Sequence, residues 1–318
     1  MRMKLVGADT LVNAVTTLFA GQDASTVDRA RATVGRVVDE AGPAALGLLN
    51  RRLAAAGATW DYYPADPLAR RLHQSLADLV LDEASMVTGV EHVHAVADRP
   101  VAIVANHLSY SDANMLDVLL CRHGGAALAD RLTAMAGPKV YSSLQRRFSS
   151  LCFGTIKTPQ SSGRSSEDAV MNVREVARAA RRVIDIANER LRAGEALLLF
   201  PEGARSRTHG MSPMLAAVTR YFDYPGLCLL PMGITGTETF YPIGAEAVQR
   251  VRAVVRVGPP IDARALTARA HRNRQLTIDV VGVAVAALLP PDYRGAYADD
   301  APDLDDARTI FRIRTLNL

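Results

Sequence analysis

The stretch that decides the fold is PVAIVANHLSYSDANMLDVLL, residues 100–120. Its first part is a short apolar run bounded by Pro100 and Asn106, which is typical of a buried strand. Its last part, from Asp112 onward, is rich in apolar residues that suit a helix. The polar residues between them predict a tight turn, so the expected order is strand, turn and helix.

Similar apolar runs recur along the rest of the chain and predict further buried strands. They are RLTAMAG (131–137), EALLLFPEG (195–203), GLCLLPMGI (226–234) and AVVRVGPPI (253–261). A periodic helical stretch, 165–194, lies between the runs 131–137 and 195–203. Ser166 can cap this helix and Gly194 can end it. Strands alternating with helices predict an α/β fold with a mostly parallel central sheet covered by helices.

The N-terminal part has helical patterns and no convincing strand. In residues 25–42 apolar side chains recur at spacings of three and four, with Ser25 a candidate N-cap and Gly42 a candidate stop. We therefore predict a small all-helical domain at 1–87, an α/β domain at 88–290 and a C-terminal tail at 291–318. The acidic segment 299–307 within that tail is expected to be a solvated end.

The charge balance limits the classes of partner. The 318 residues carry a net charge of +4, and the only lysines are Lys4, Lys139 and Lys157, so the positive charge is almost wholly arginine. No arginine block is interleaved with aromatic residues, which argues against nucleic-acid binding. Guanidinium groups suit phosphate, so a phosphorylated metabolite or an anionic membrane surface fits better.

The chain carries no signal for a membrane span or a disulfide framework. No apolar stretch reaches about 18 residues, and the first 21 residues lack the apolar centre of a signal peptide. The cysteines number three and are widely spaced, which favours free thiols. His92 and His94, placed on one strand face by their spacing, have no neighbours that complete a metal site. We expect a cytoplasmic protein that can associate peripherally with a membrane, and we expect no metal site.

His107 and Asp112 are the first candidates for chemistry. On a single helix, five steps of about 100° would leave them roughly 140° apart, whereas a strand followed by a turn and a helix can fold them together. Asp112 would then orient the imidazole, and the other ring nitrogen would be free to take a proton from a hydroxyl. The alternative is that Asp112 only caps the helix and His107 only fills a turn. Spacing does not decide between them.

The segment FPEGARS, residues 200–206, forms the second candidate. The carboxyl ends of parallel strands line the ligand crevice, so this segment and His107 can meet at one edge of the sheet. Arg205 and Arg207 beside a glycine turn suit a phosphate group. The alternative is a tight turn with arginines that face solvent.

Together the two segments resemble the glycerolipid acyltransferases, which include 1-acylglycerol-3-phosphate and glycerol-3-phosphate acyltransferases. NHLSYSD (106–112) matches the family signature N-H-x-S-x-x-D, and FPEGARS matches F-P-E-G-x-R-S, in the family's order. LLPMGI (229–234) and VRVGPPI (255–261) resemble later segments of the family. The resemblance covers about residues 88–262.

This resemblance implies acyl transfer from acyl-CoA or acyl carrier protein to a hydroxyl of glycerol 3-phosphate or lysophosphatidate, a step of phospholipid biosynthesis. His107 would act as general base, oriented by Asp112, with no acyl-enzyme and no tightly bound cofactor. Glu202 would position the acceptor or brace the turn, and backbone N–H groups after His107 or near Gly203 would hold the oxyanion. The candidate substrate-binding residues are Lys139, Arg164, Glu202, Gly203, Arg205 and Ser206.

One position departs from the family pattern G-x-I-x-x-x-R, because GTIKTPQ (154–160) places Gln160 where the family has a phosphate-binding arginine. Lys157 or Arg164 can substitute; otherwise the acceptor lacks a phosphate. Two alternatives stay open: an acyltransferase of specialised metabolism with a non-lipid hydroxyl or amine acceptor, and a catalytically silent peripheral lipid-binding protein. A serine hydrolase is disfavoured, since no G-x-S-x-G elbow occurs.

Overall fold

The structure is a computed structural model and describes residues 7–159, 173–241 and 247–315. Gln160, Arg164 and Ser166 lie outside the described residues. The helices are α1 (Ala8–Thr17), α2 (Ala24–Ala55), α3 (Pro67–Val80), α4 (Val90–His94), α5 (Asp112–Arg122), α6 (Ala126–Ala129), α7 (Leu144–Ser150), α8 (Val173–Arg192), α9 (Ala263–Arg269), α10 (Arg274–Ala286) and α11 (Asp305–Thr315). The strands are β1 (Tyr62–Tyr63), β2 (Met86–Thr88), β3 (Val101–Ala105), β4 (Leu132–Ala136), β5 (Gly154–Lys157), β6 (Ala196–Leu199), β7 (Cys228–Thr235), β8 (Val254–Val257) and β9 (Ile261–Asp262).

The described strands form one nine-stranded sheet in the order β1-β5-β4-β6-β3-β7-β8-β2, with β9 also paired to β7. The central pairs β5 to β4, β4 to β6, β6 to β3 and β3 to β7 are all parallel. Antiparallel pairs occur only toward the margins, at β1 with β5 and at β7 with β8 and β9, among the described strands. The predicted α/β fold with a mostly parallel sheet is confirmed.

The central strand β3 has a hydrophobic core on each face. Val101, Ile103 and Ala105 belong to one core, and Ala102 and Val104 belong to the other, because side chains alternate along a strand. The first core is closed by α1, α2, α3 and α5, and the second by α8, α10 and α11. Burial on both faces explains why the strand is a continuous apolar run in the sequence.

The expectation that residues 1–87 contain no strand is wrong. Tyr62–Tyr63 pairs with β5, and β2, which begins at Met86, pairs with β8 at the other margin of the sheet. These strands are too short for a period of two to be read from the sequence. The helices of this part pack on the sheet and belong to the first core. The domain boundary at residue 87 stays a prediction.

Two helix signals in the N-terminal part are resolved differently from each other. Asp23 caps α2 by accepting a hydrogen bond from the Thr26 amide at 3.0 Å, so the predicted cap at Ser25 is wrong. Gly42 has a φ of +76° and interrupts α2 where Pro43 follows, which is where the sequence predicted a stop. The helical chain then resumes and continues to Ala55.

Three further expectations need correction. The apolar runs do not predict strand β5, and His92 and His94 lie in α4 rather than on a strand. The C-terminal tail is not merely a solvated end, because Leu304 and Ala307 are buried in the second core while the aspartates around them face solvent. Their apolar spacing of three residues within an acidic background marks one face of α11 and its preceding turn.

The sheet places three chain segments side by side. Strand β3 lies between β6 and β7 and is parallel to both, so residues 106–112, 200–206 and 236–238 all emerge at the same edge. No described helix combines the length and the apolar composition needed to cross a bilayer.

Candidate active site

His107 and Asp112 meet in a short hydrogen bond at this edge. His107 follows β3, Asp112 is the first residue of α5, and His107 Nδ1 lies 2.8 Å from Asp112 Oδ2. The Asp112 side chain is fully buried, while the His107 side chain is 16% exposed. A carboxylate partner requires the proton on Nδ1, so Nε2 carries the lone pair, and no described residue hydrogen bonds to it.

The Asp112 carboxylate also closes the turn between strand and helix. Oδ2 accepts hydrogen bonds from the Leu108 and Ser109 amides at 2.7 and 3.0 Å, and Oδ1 accepts one from the Thr237 hydroxyl at 2.6 Å. The alternative interpretation supposed that Asp112 caps α5. The amides that it binds precede the helix, so it does not. One side chain both folds the turn and holds the imidazole.

Segment 200–206 holds His107 from the other side. The Phe200 ring stacks on the imidazole with centroids 4.4 Å apart and planes inclined by 22°. The His107 amide donates to Glu202 Oε1 at 2.8 Å, and the Ser206 amide donates to the His107 carbonyl at 2.7 Å. Ring, N–H and C=O of His107 are therefore all restrained.

Glu202 is a buried brace between two loops. It is 1% exposed, and its Oε2 accepts a hydrogen bond from the Ser212 amide at 2.6 Å. Burial raises the pKa of this carboxyl, whereas the amide bonds from Ser212 and His107 oppose that rise. Both oxygens face backbone amides, so of its two predicted roles the geometry favours bracing the turn over contacting an acceptor.

Two guanidinium groups lie against Tyr110, which belongs to the turn between His107 and Asp112. Arg205 Cζ is 4.3 Å and Arg146 Cζ is 4.5 Å from the centroid of the Tyr110 ring. Arg146 donates from Nη1 to the Lys139 carbonyl and to the Ser142 hydroxyl, both at 3.1 Å. Arg205 has no hydrogen bond or ion pair with a described residue. The turn between His107 and Asp112 therefore carries two guanidinium groups on its Tyr110 ring.

The family comparison agrees with this geometry. Residues 85–235 match the sequence model of the family described as acyltransferase. Over this segment the chain is similar to the acyltransferase family. Both motifs lie within the matched residues, and the predicted resemblance to the glycerolipid acyltransferases is confirmed.

No curated protein matches the chain significantly. Among solved structures, the 1-acyl-sn-glycerophosphate (LPA) acyltransferase PlsC from Thermotoga maritima matches with 16% identity and a TM-score of 0.46, over 89% of this chain and 93% of that one.

Two predicted residues shape the turn of the acyltransferase segment. Gly203 has a φ of +72°, and its amide donates to the Phe200 carbonyl at 3.0 Å. The Ser206 hydroxyl donates to the Gly210 carbonyl at 2.8 Å and accepts from the Thr208 amide. Because the turns use their own amides, the Leu108, Ser109 and Gly203 N–H groups expected for the oxyanion are engaged.

The predicted cations are distributed unequally around the candidate site. Lys139 is half-buried, and its backbone carbonyl accepts a hydrogen bond from Arg146. Lys157 instead donates to the Gly57 carbonyl at 2.6 Å and lies 4.5 Å from the Trp60 ring centroid, and burial lowers its pKa. Lys157 is thus engaged by the loop between α2 and α3. Arg164 lies outside the described residues.

Sequence reasoning missed several residues that shape this site. Phe200 belongs to a motif whose predicted chemistry lies in other residues, and no motif in the sequence singles out Tyr110, Arg146 or Thr237. Stacking and ring contacts depend on how distant segments pack, and no spacing reveals them. The one available signal was the aromatic residue in the middle of the turn, since arginines commonly pack on aromatic faces.

Proposed function

We propose that the protein moves an acyl group from a thioester to a hydroxyl of a phosphate-bearing glycerol compound, glycerol 3-phosphate or lysophosphatidate. The donor is acyl-CoA or acyl carrier protein. The observation that carries this proposal is the His107 imidazole, held at Nδ1 by a buried carboxylate 2.8 Å away, with two guanidinium groups on the adjoining turn. Cytoplasmic location and peripheral membrane contact stay predictions.

In the proposed reaction His107 Nε2 takes the proton of the acceptor hydroxyl as that oxygen attacks the thioester carbonyl. The tetrahedral intermediate then collapses, the carbon–sulfur bond breaks, and the leaving thiolate takes the proton from the imidazolium. Asp112 stabilises the imidazolium through Nδ1. General-base catalysis of this kind contributes about 10²–10⁴-fold, and it needs neither a metal nor a tightly bound cofactor.

The charged turn supports a phosphate on the acceptor. Arg205 and Arg146 are both only partly exposed, and neither forms an ion pair with a described carboxylate. Phosphate oxygens would supply charge-assisted hydrogen bonds to both groups. In this proposal Arg146 takes the part that the family assigns to the position of Gln160, with Lys139 close by.

A second candidate is acyl transfer to a non-lipid hydroxyl or amine. The engagement of Lys157 by the Gly57 carbonyl favours it, because one expected substitute for the arginine is unavailable. A catalytically silent lipid-binding protein fits less well, since binding alone does not require a buried carboxylate to orient an imidazole.

The test is thiol release from long-chain acyl-CoA and acyl carrier protein, measured with a series of acceptors. Glycerol 3-phosphate and lysophosphatidate should each be compared with glycerol and monoacylglycerol, which have the hydroxyl but lack the phosphate. Turnover confined to a phosphorylated acceptor supports the proposal. Equal turnover of the unphosphorylated compounds, or of an amine, supports the second candidate, and no thiol release with any acceptor contradicts both.

The arginines on Tyr110 give a sharper prediction. We expect Arg205→Gln and Arg146→Gln each to raise KM for the phosphorylated acceptor about tenfold to a hundredfold, since a hydrogen bond to a charged group contributes roughly 1.5–3 kcal/mol. Steady-state thiol release at varied acceptor concentration measures the effect. Arg207→Gln is the matched control, because Arg207 is exposed and two residues from Arg205. An unchanged KM in both variants would place the phosphate elsewhere.

A further inference from the structure

A C-terminal segment outside the family match packs on the loop that follows FPEGARS. We call residues 290–297 the C-terminal clasp; it contains two short 3₁₀ turns, Pro291–Tyr293 and Gly295–Tyr297. The Met211 amide donates to the Tyr293 carbonyl at 2.9 Å, and the Ala296 amide donates to the Met211 carbonyl at 2.8 Å. A Cβ at Gly295 would collide with the Met211 backbone. The clasp backbone thus lies in close contact with the Met211 backbone and forms two hydrogen bonds with it.

One route leads from the clasp to His107. The Tyr297 hydroxyl accepts a hydrogen bond from the Met214 amide at 2.9 Å and donates to Asp279 Oδ1 at 3.0 Å, which ties the loop to α10. Between Met211 and Met214, the Ser212 amide donates to Glu202, whose other oxygen accepts from the His107 amide. The clasp therefore holds the loop of Met211–Met214, and the Ser212 amide of this loop in turn holds the Glu202 carboxylate that binds the His107 amide.

A second route leads from the clasp to Asp112. The Tyr293 hydroxyl donates to Glu238 Oε1 at 2.5 Å. Burial, reinforced by the Glu238 carboxylate, raises the pKa of Tyr293 and keeps its hydroxyl a donor. Glu238 follows Thr237, whose hydroxyl donates to Asp112 Oδ1 at 2.6 Å. Both residues belong to the short turn Thr237–Thr239 after β7, so fixing Glu238 fixes the Thr237 donor.

We propose that the C-terminal clasp positions the His107 and Asp112 pair, with Tyr293 and Tyr297 as its positioning residues. The two routes end on the two partners of a single 2.8 Å hydrogen bond, so a shift of either route alters the geometry of that bond. Misplacement of a reacting group by about 1 Å, caused far from the chemistry, can cost about 10²-fold in rate. The kinetic part of the inference rests on the proposed function, because it takes His107 as the base.

The test uses Tyr293→Phe, Tyr297→Phe and the double variant of the full chain. Tyr224→Phe is the matched control: Tyr224 is also partly buried, but it precedes β7, whereas the site follows the end of that strand. The measurements are kcat and acceptor KM in the thiol-release assay, the downfield proton resonance of the hydrogen bond between His107 and Asp112, and the unfolding temperature.

We expect each single variant to lower kcat roughly tenfold or more, with acceptor KM within threefold, and to shift or broaden the downfield resonance. Tyr224→Phe should change neither. Wild-type kcat with an unchanged resonance and only a lower unfolding temperature would overturn the proposal and reduce the clasp to a structural support. The resonance requires no substrate, so it decides the proposal even if the acyl-transfer reaction itself is disproved; its absence from the wild-type protein would overturn the clasp as well.

Discussion

Replacing His107 with alanine should abolish acyl transfer from thioesters while the fold remains intact. The imidazole is the only group on the site's turn that combines an accessible nitrogen lone pair with a buried carboxylate partner, within the described part of the chain. Loss of the general base alone is expected to cost about 10²–10⁴-fold in kcat. Thiol release measures the rate, and far-ultraviolet circular dichroism with thermal unfolding checks the fold.

The control for this experiment is His92→Ala. His92 lies in α4, where its nearest charged partner is Glu91 at 3.9 Å, and it takes no part in the site. We expect this variant to keep the wild-type rate. If His107→Ala retains turnover comparable to that control, the imidazole is not the base and the proposed mechanism fails.

Asp112→Asn should produce a loss of similar size through a different cause. Both oxygens of Asp112 accept hydrogen bonds, Oδ2 from the imidazole and two amides and Oδ1 from the Thr237 hydroxyl. An amide has one acceptor oxygen and no charge. If its NH₂ group faces His107, the favoured imidazole tautomer is lost; if it instead donates to the Thr237 hydroxyl oxygen, the imidazolium still loses its anionic partner. By comparison with orienting carboxylates of this kind, kcat should fall by about 10³–10⁴-fold. Unsatisfied buried donors should also lower the free energy of unfolding by about 1–3 kcal/mol.

Asp117→Asn separates the loss of orientation from the loss of stability. Asp117 lies on the same helix, is also fully buried, and pairs with Arg70 at 2.8 Å rather than with the imidazole. Denaturant unfolding should show that both variants are destabilised, whereas only Asp112→Asn should lose kcat well below its unfolding transition. A near-wild-type kcat for Asp112→Asn would mean that the carboxylate serves only to close the turn.

The sequence predicted the parts of this site that depend on neighbours along the chain. The apolar run before Asn106 and the helical residues after Asp112 placed a strand and a helix on either side of one turn, and the structure has both. That order allows a histidine and an aspartate five residues apart to be folded together, and the contact itself is seen in the structure. The positive φ of Gly203 likewise follows from a short turn after β6.

Other parts of the site depend on contacts between distant segments. Glu202 reaches the His107 amide across 95 positions of sequence, and Thr237 reaches Asp112 across 125. Arg146, which contacts the Tyr110 ring, belongs to α7, and the clasp that packs on the loop at Met211 follows α10. None of these contacts has a periodicity or a spacing, so a single sequence offers nothing from which to derive them.

By itself the sequence determined the alternation of strands and helices, the mostly parallel sheet and the two turns that carry polar residues at its edge. Hydrophobic periodicity and turn residues act locally, so they can be read in order along the chain. Only the tertiary structure decided that Glu202 is a brace, that Lys157 binds the Gly57 carbonyl, and that the C-terminal segment packs on the loop that follows residue 206. Those outcomes depend on which buried polar groups find partners once the two cores have closed, and that is a property of the packed molecule.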